Sequence, residues 1–160
     1  FCEAGNLPSK RDLFEWRLVE QAVAHNIPII GVCRGAQLLC AFDGGKLAQD
    51  IGGHSSGHNI VTKDGEVFYA AANHHQMMLP QPHNELLAVA SKALHPGSYI
   101  GENNTINTIP PSFKEPEAVY FPKLKALGFQ PHPEWMKAEE AFVQWCLAMV
   151  TEKFFATENV

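Results

Sequence analysis

Three residues of this chain have the types and the setting for covalent catalysis: Cys33, His132 and Glu134. Cys33 lies in Gly31-Val32-Cys33-Arg34-Gly35, directly after the apolar run 27–32 and directly before a helix-like pattern. Strand, tight turn with a nucleophile, then helix is the sequence form of a nucleophile elbow. Gly31 and Gly35 lack the side chains that would collide where strand and helix crowd together. At a helix N-terminus the positive dipole end favours thiolate, so the spacing predicts a lowered pKa for Cys33. A sulfur nucleophile needs a general base, and the base needs a group that holds its ring. His132-Pro133-Glu134 supplies both. Residues two apart in an extended backbone point the same way, so Glu134 reaches one ring nitrogen and leaves the other for Cys33. Pro133 favours that extended geometry. Taken singly, Cys33 reads as an inert buried cysteine and His-Pro-Glu as a turn before a helix. Together, about a hundred residues apart, each behind an apolar strand, they read as one site.

The elements that must position these groups follow from pattern. Ser9-Lys10-Arg11-Asp12 has the form of a capping box and predicts a helix start. Trp16, Val19, Ala22 and Val23 then share one face, and Asn26 and Pro28 end the helix. Residues 27–32 are apolar on both faces, as a strand inside a parallel sheet must be. The helix after Cys33 runs to about Phe42 and stops at Asp43-Gly44-Gly45. A Gly- and His-rich loop, 52–58, leads into a hairpin of strands 59–62 and 66–70 turning at Lys63-Asp64-Gly65. Residues 86–90 read as a strand and 96–116 as an irregular excursion. Strands 118–121 and 126–129 precede Gln130-Pro131-His132-Pro133-Glu134. A last helix covers about 138–153, with Phe142, Trp145, Cys146 and Met149 as its stripe and Glu139 and Glu140 in its first turn.

With these residues in place, the chain resembles the class I glutamine amidotransferase-like superfamily. The resemblance rests on Gly31-Val32-Cys33-Arg34-Gly35-Ala36-Gln37-Leu38-Leu39, Gly44-Gly45-Lys46-Leu47-Ala48-Gln49-Asp50, His74-His75-Gln76 and His132-Pro133-Glu134. Arg34 after the cysteine, with Arg11-Asp12 upstream, is similar to the branch of γ-glutamyl-γ-aminobutyrate hydrolases and γ-glutamyl hydrolases. The resemblance implies an α/β, flavodoxin-like parallel sheet with helices on both faces. It implies cysteine-dependent hydrolysis of a γ-glutamyl amide through a γ-glutamyl thioester, with no cofactor. Carried over, Cys33 is the nucleophile, His132 the base and then acid, and Glu134 the group that orients it. The backbone N–H of Arg34 is an oxyanion donor, and Gln37, His75 and Gln76 line the glutamyl pocket. Three departures stand out. The family places further βα units and a second oxyanion donor ahead of the capping box, where this chain has residues 1–8. Residues 1–160 are therefore expected to be one N-terminally shortened domain. Pro131 replaces an apolar or aromatic residue and removes a backbone donor, and residues 40–43 are less family-like.

Composition narrows the alternatives. A net charge of −5 without a Lys/Arg cluster argues against nucleic-acid binding, and no apolar run approaches a membrane span. Four cysteines without disulfide-scaffold spacing suit a reducing, cytoplasmic setting. His54 and His58 are four apart and His74 and His75 adjacent. Ser55-Ser56-Gly57 is poor helix material, so no shared helix face gathers the first pair and no metal site is expected. Trp16, Trp135 and Trp145 are expected to serve packing. Two other functions compete: a glutaminase subunit that passes ammonia to a synthetase partner, and a non-catalytic binding or assembly protein on the same fold. The expected partner is a small γ-glutamyl substrate, with a second copy or a covering chain at the open edge of the sheet.

Overall fold

A computed structural model describes residues 8–156 of the chain. The expected first helix is present as α1 (Lys10–Ala24), and its capping box forms in both directions. The Asp12 N–H donates to Ser9 Oγ at 3.1 Å, and the Ser9 N–H donates to Asp12 Oδ2 at 2.8 Å. Val19 is buried, Trp16, Ala22 and Val23 are half-buried, and Trp16 packs on Phe42 with ring centroids 4.6 Å apart. Strand β1 (Ile29–Val32) follows, then α2 (Arg34–Phe42), as the elbow reading requires.

Beyond α2 come β2 (Lys46–Ala48), β3 (His58–Thr62), β4 (Val67–Ala70), β5 (Met77–Leu79), β6 (Glu85–Ala90), β7 (Ser98–Ile100) and β8 (Ile106–Thr108). The chain then forms β9 (Pro116–Phe121), β10 (Ala126–Phe129) and α3 (Ala141–Phe155). Six strands make the main sheet in the order β1-β10-β9-β6-β3-β4. The α/β class stands, with helices on both faces, but the sheet is mixed. Only β1 and β10 pair in parallel among the described strands; every other neighbour in this sheet is antiparallel. The cause is connectivity: four-residue links, 63–66 and 122–125, join β3 to β4 and β9 to β10, too short for the crossover that a parallel pair needs.

One core lies between α1, α2 and the sheet, built on Val19, Ala36, Leu39, Val119 and Phe121. The opposite face takes α3, whose Phe142, Trp145, Cys146 and Met149 pack on Leu87, Ala118, Leu127 and Phe129. Successive residues of β10 alternate between these cores, Ala126 facing α2 and Leu127 facing α3, so both of its faces are covered. The cysteines Cys40 and Cys146 are buried core residues.

Strand β1, apolar on both faces, lies at the edge of the sheet among the described strands, the open edge expected of a shortened chain, with Ile30 half exposed at 51%. Other expectations need correction. Helix α3 begins at Ala141 rather than near 138, because the Glu140 side chain accepts the Lys137 N–H at 2.8 Å and holds the preceding turn. Glu139 and Glu140 therefore precede the first turn. The excursion 96–116 contains a two-stranded ribbon of β7 and β8. A second ribbon pairs β2 with β5, and neither of its strands is apparent from pattern.

Candidate active site

The elbow is built from backbone. Cys33 adopts φ 48°, ψ −106°, a region that non-glycine residues rarely occupy. Two hydrogen bonds hold it there: its N–H donates to Phe129 O at 2.7 Å, and its carbonyl accepts the Gln37 N–H at 3.1 Å. The first ties the end of β1 to the end of β10, so Cys33 and residues 130–134 leave the sheet side by side. A Cβ on Gly31 would lie 2.6 Å from the Gly35 carbonyl carbon and 2.7 Å from Leu39 Cδ1, so this glycine is required by close approach. Gly35 is not: a Cβ there meets nothing within 4 Å among the described residues. The strand–helix crowding is relieved at one glycine, not two.

Beyond β10 the chain bends at Gln130 and Pro131 and then closes a short 3-10 turn over Pro133–Trp135, so the extended backbone expected for His132-Pro133-Glu134 is not what brings the two side chains together. Backbone bonds fix the chain on both sides of Pro131: the Gln130 N–H donates to Glu117 O at 2.8 Å and the His132 N–H to Ala71 O at 2.7 Å. Pro131 falls between these two donors, so its missing N–H leaves both bonds intact. His132 Nδ1–H donates to Glu134 Oε1 at 2.7 Å, as the spacing predicts. That bond leaves Nε2 as the ring nitrogen for proton transfer. The His132 ring also stacks on Trp135, with centroids 3.7 Å apart and planes 2° from parallel. Trp135, 59% exposed, is thus a wall that fixes the imidazole rather than a core residue.

The thiol of Cys33 accepts a hydrogen bond from Gln130 Nε2 at 3.8 Å; among the described residues it makes none with His132. Burial pushes the Cys33 thiol up, more than the Arg34 backbone N–H lowers it, and the Glu134 carboxylate adds to the rise. The direction is opposite to the lowering expected from the helix terminus, with desolvation as its main cause. Gln130 is the residue that sequence reasoning missed. It sits at the bend directly after β10, beside the Cys33 that the β1–β10 pairing brings there, and no local pattern signals that contact.

The remaining expected site residues divide. Gln37 Nε2 donates to Gln76 O at 2.9 Å and to Gln130 Oε1 at 3.3 Å, next to the elbow. Gln76 Nε2 donates to Gln49 Oε1 at 2.8 Å. A cleft lined by Asp12, Arg34, Gln37, Leu38, Ala41, Leu47 and Gln76 adjoins the elbow and brings Gln37 and Gln76 together. His75 does not line it; its Nδ1 lies 3.8 Å from Asp50 Oδ1 and its carbonyl accepts the Ile51 N–H. The Arg34 guanidinium turns to α1, where it pairs with Asp12 and Glu15. Its side chain therefore clamps the elbow to the capped end of α1, leaving only its backbone N–H toward Cys33.

A second polar cluster lies deeper. His54, His58, His74, Glu115 and Glu117 meet behind the sheet end, with the ring centroids of His54 and His74 4.7 Å apart. His54, His74 and Glu117 each offer a ligand atom, and these atoms lie within 4.8 Å of one another. No shared helix face gathers His54 and His58, as expected, yet the histidines still meet. A folded loop gathers them instead.

A strained cysteine between a parallel strand and a helix, beside a Gln–His–Glu segment, defines an α/β protein with a nucleophile elbow. The sequence profile of the Peptidase C26 family matches residues 2–134, and the chain belongs to that family. It is 50% identical over 55 residues to the putative glutamine amidotransferase-like protein YvdE of Lactococcus lactis subsp. lactis. That match takes in 34% of this chain and 23% of the relative. It is 28% identical over 116 residues to the chloroplastic small chain of carbamoyl phosphate synthase of Oryza sativa subsp. japonica, covering 71% of this chain and 22% of that one. A glutamine amidotransferase of Thermotoga maritima shares the fold at a TM-score of 0.58 and 14% identity, over 93% of this chain and 62% of that one. The chain thus spans about a quarter of the first relative and under two thirds of the solved structure. Among the described residues, no helix is long and apolar enough to cross a membrane.

Proposed function

We propose that this chain carries the reacting centre of a cysteine hydrolase of γ-glutamyl amides, glutamine or a γ-glutamyl amine or peptide. The observation that carries the reading is the junction of β1 and β10. It ties the strained Cys33 to Phe129, three residues before a His132 that is held by Glu134 on one edge and by Trp135 on one face, and this supports the reading. Cys33 Sγ attacks the side-chain carbonyl while its proton passes to His132. The Arg34 N–H faces the developing oxyanion. His132 then protonates the leaving amine, and a γ-glutamyl thioester forms. Water, deprotonated by His132, releases glutamate and regenerates the thiol. Burial raises the Cys33 thiol above its ordinary value, which favours transfer of its proton to His132 during attack over a standing ion pair. Gln37 and Gln76 border the glutamyl side, and the branch of γ-glutamyl hydrolases is the finer assignment.

The test uses the complete protein and measures glutamate released from glutamine and from γ-glutamyl amines. Cys33→Ala should abolish release, and His132→Ala should cost at least about 10²–10⁴-fold in kcat. Glu134→Gln should cost less, since it keeps a hydrogen bond and loses only the charge. Release that survives Cys33→Ala would remove the nucleophile. A folded protein that cleaves neither substrate class would favour a non-catalytic binding role. The likeness to one chain of a larger synthase favours a second reading, in which ammonia passes to a partner. Glutamine cleavage that becomes fast only with a co-purifying synthetase would select it. A cytoplasmic location fits a free-thiol nucleophile.

A further inference from the structure

We propose that His54, His74 and Glu117 form a buried site for a divalent transition-metal ion, of which zinc is the representative. The three side chains come from separate parts of the chain: the loop before β3, the loop after β4, and the interior of β9. Their side-chain exposures are 0%, 1% and 0%. Glu117 follows the alternation of β9, so its carboxylate leaves the sheet on the side where Val119 and Phe121 meet α2.

The hydrogen bonds around the cluster fix where its lone pairs point. His74 Nδ1 lies 2.9 Å from Gln76 O, and a carbonyl only accepts, so the ring proton is on Nδ1. The neutral ring therefore presents an Nε2 lone pair, 3.8 Å from Glu117 Oε2. Two acceptors face each other. His54 Nε2 is engaged by Glu115, which leaves Nδ1 directed at Glu117 Oε1, 3.2 Å away but without hydrogen-bond geometry. His54 Nδ1, His74 Nε2 and Glu117 Oε2 are all buried and without hydrogen-bond partners. A proton on His54 Nδ1 would serve Glu117 and leave His74 Nε2 facing the carboxylate unpaired. A shared cation serves all three.

The outer partners match what a metal site needs. Ligating imidazoles commonly donate their other N–H to a carboxylate or a backbone carbonyl, and ligating carboxylates are themselves hydrogen-bonded. Glu115 does this for His54, the Gln76 carbonyl for His74, and His58 Nε2 for Glu117 at 2.8 Å. Two imidazoles and a carboxylate, with no thiolate, suit zinc and its first-row neighbours rather than calcium or magnesium. Metal–ligand bonds of about 2.0–2.2 Å require the three atoms to draw in from their present spread to within about 4 Å of each other. Enclosure on every side makes the site structural. Its neighbours show what it would hold. The Gln76 carbonyl that fixes His74 also accepts Gln37 Nε2, and Glu117 O accepts the Gln130 N–H. The ion would brace both segments that border Cys33.

The decisive experiment needs no substrate. The complete protein is grown in media supplemented in turn with zinc, iron and manganese, desalted, and its metal counted by mass spectrometry. It is also unfolded in chelator, refolded, and titrated with Zn²⁺ and Co²⁺. The proposal expects about one equivalent of metal per chain, a Tm that rises with added Zn²⁺ in the stripped protein, and a Co²⁺ absorption spectrum of low coordination number. His74→Gln and Glu117→Gln should lose the metal, while Cys33→Ser should keep it. If the variants do not fold, the Zn²⁺ titration of refolded wild type decides alone. Less than about a tenth of an equivalent in folded wild type, with no Tm response to any of the ions, overturns the site. So does metal retained by folded His74→Gln and Glu117→Gln variants.

Discussion

Cys33 combines a strained backbone with a thiol that burial raises above its ordinary value. The other described cysteines are shifted in the same direction and are more deeply enclosed: burial drives Cys40 up to about 12 and Cys146 higher still. Alkylation requires thiolate and access. Iodoacetamide at limiting concentration should therefore label Cys33 well before Cys40 or Cys146, and its rate should climb only above the ordinary cysteine range. Adduct mapping by mass spectrometry across neutral to alkaline pH measures both. Faster labelling of Cys40 or Cys146 would count against the elbow; Cys2 lies outside the described residues. The same residue-scale reading explains why Arg34 reads as a site residue in the sequence. Any part it plays at Cys33 falls to its backbone N–H, because its side chain is occupied by Asp12 and Glu15.

At the scale of elements, the two glycines of the elbow make opposite predictions. Gly31→Ala forces a Cβ against the Gly35 backbone and should cost about 1–3 kcal/mol or more of stability. Gly35→Ala meets open space inside α2 and should be neutral, or stabilising by up to about 1 kcal/mol through helix propensity. Chemical denaturation of both variants compares them directly. The start of α1 carries a pH prediction. The Ser9 hydroxyl, acting against burial and joined by Arg34, holds the Asp12 carboxyl below its usual 3.8. Against its own burial, Arg11 and Arg34 hold Glu15 below 4.5. Both folded values are depressed, so their stabilisation is complete above about 4.5 and fades as pH falls through the lower folded values. Amide exchange should show α1 loosening before α3 on acidification; equal protection at every pH would contradict the clamp.

Elements with a strong local signal were legible in the sequence: the capping box, the run into Cys33, the hairpin and the stripe of α3. Ribbons of three residues, such as β2 and β5, have too little periodicity to register. The pairing partners of β1 and the meeting of His54 with His74 depend on long-range closure, which no window of sequence contains. Gln130 was hidden for the same reason, since the pairing of β1 with β10 is what brings Cys33 beside it. At the scale of the whole molecule, β1 is the edge of the main sheet and has no strand on its outer side among the described residues. Ile27 and Ile30 on and beside it, with Leu13, Phe14 and Leu18 on α1, are each at least half exposed. Together they form an apolar face beside unpaired strand groups, which templates association. Residues 1–160 expressed alone should self-associate in light scattering after size-exclusion chromatography. A monodisperse monomer would show that this face tolerates water, and that no second copy or covering chain is needed.

The bond from Cys33 N–H to Phe129 O also has a place in time. It joins residues 96 apart in sequence, so it closes a long loop of chain. Local contacts form early, and distant strand pairings wait for the loop between them to close. The nascent chain would thus carry Cys33 as an ordinary, solvated thiol for most of its folding, with the histidine still remote. On the proposed function, a chain that stalls before this pairing would be inert rather than half-active.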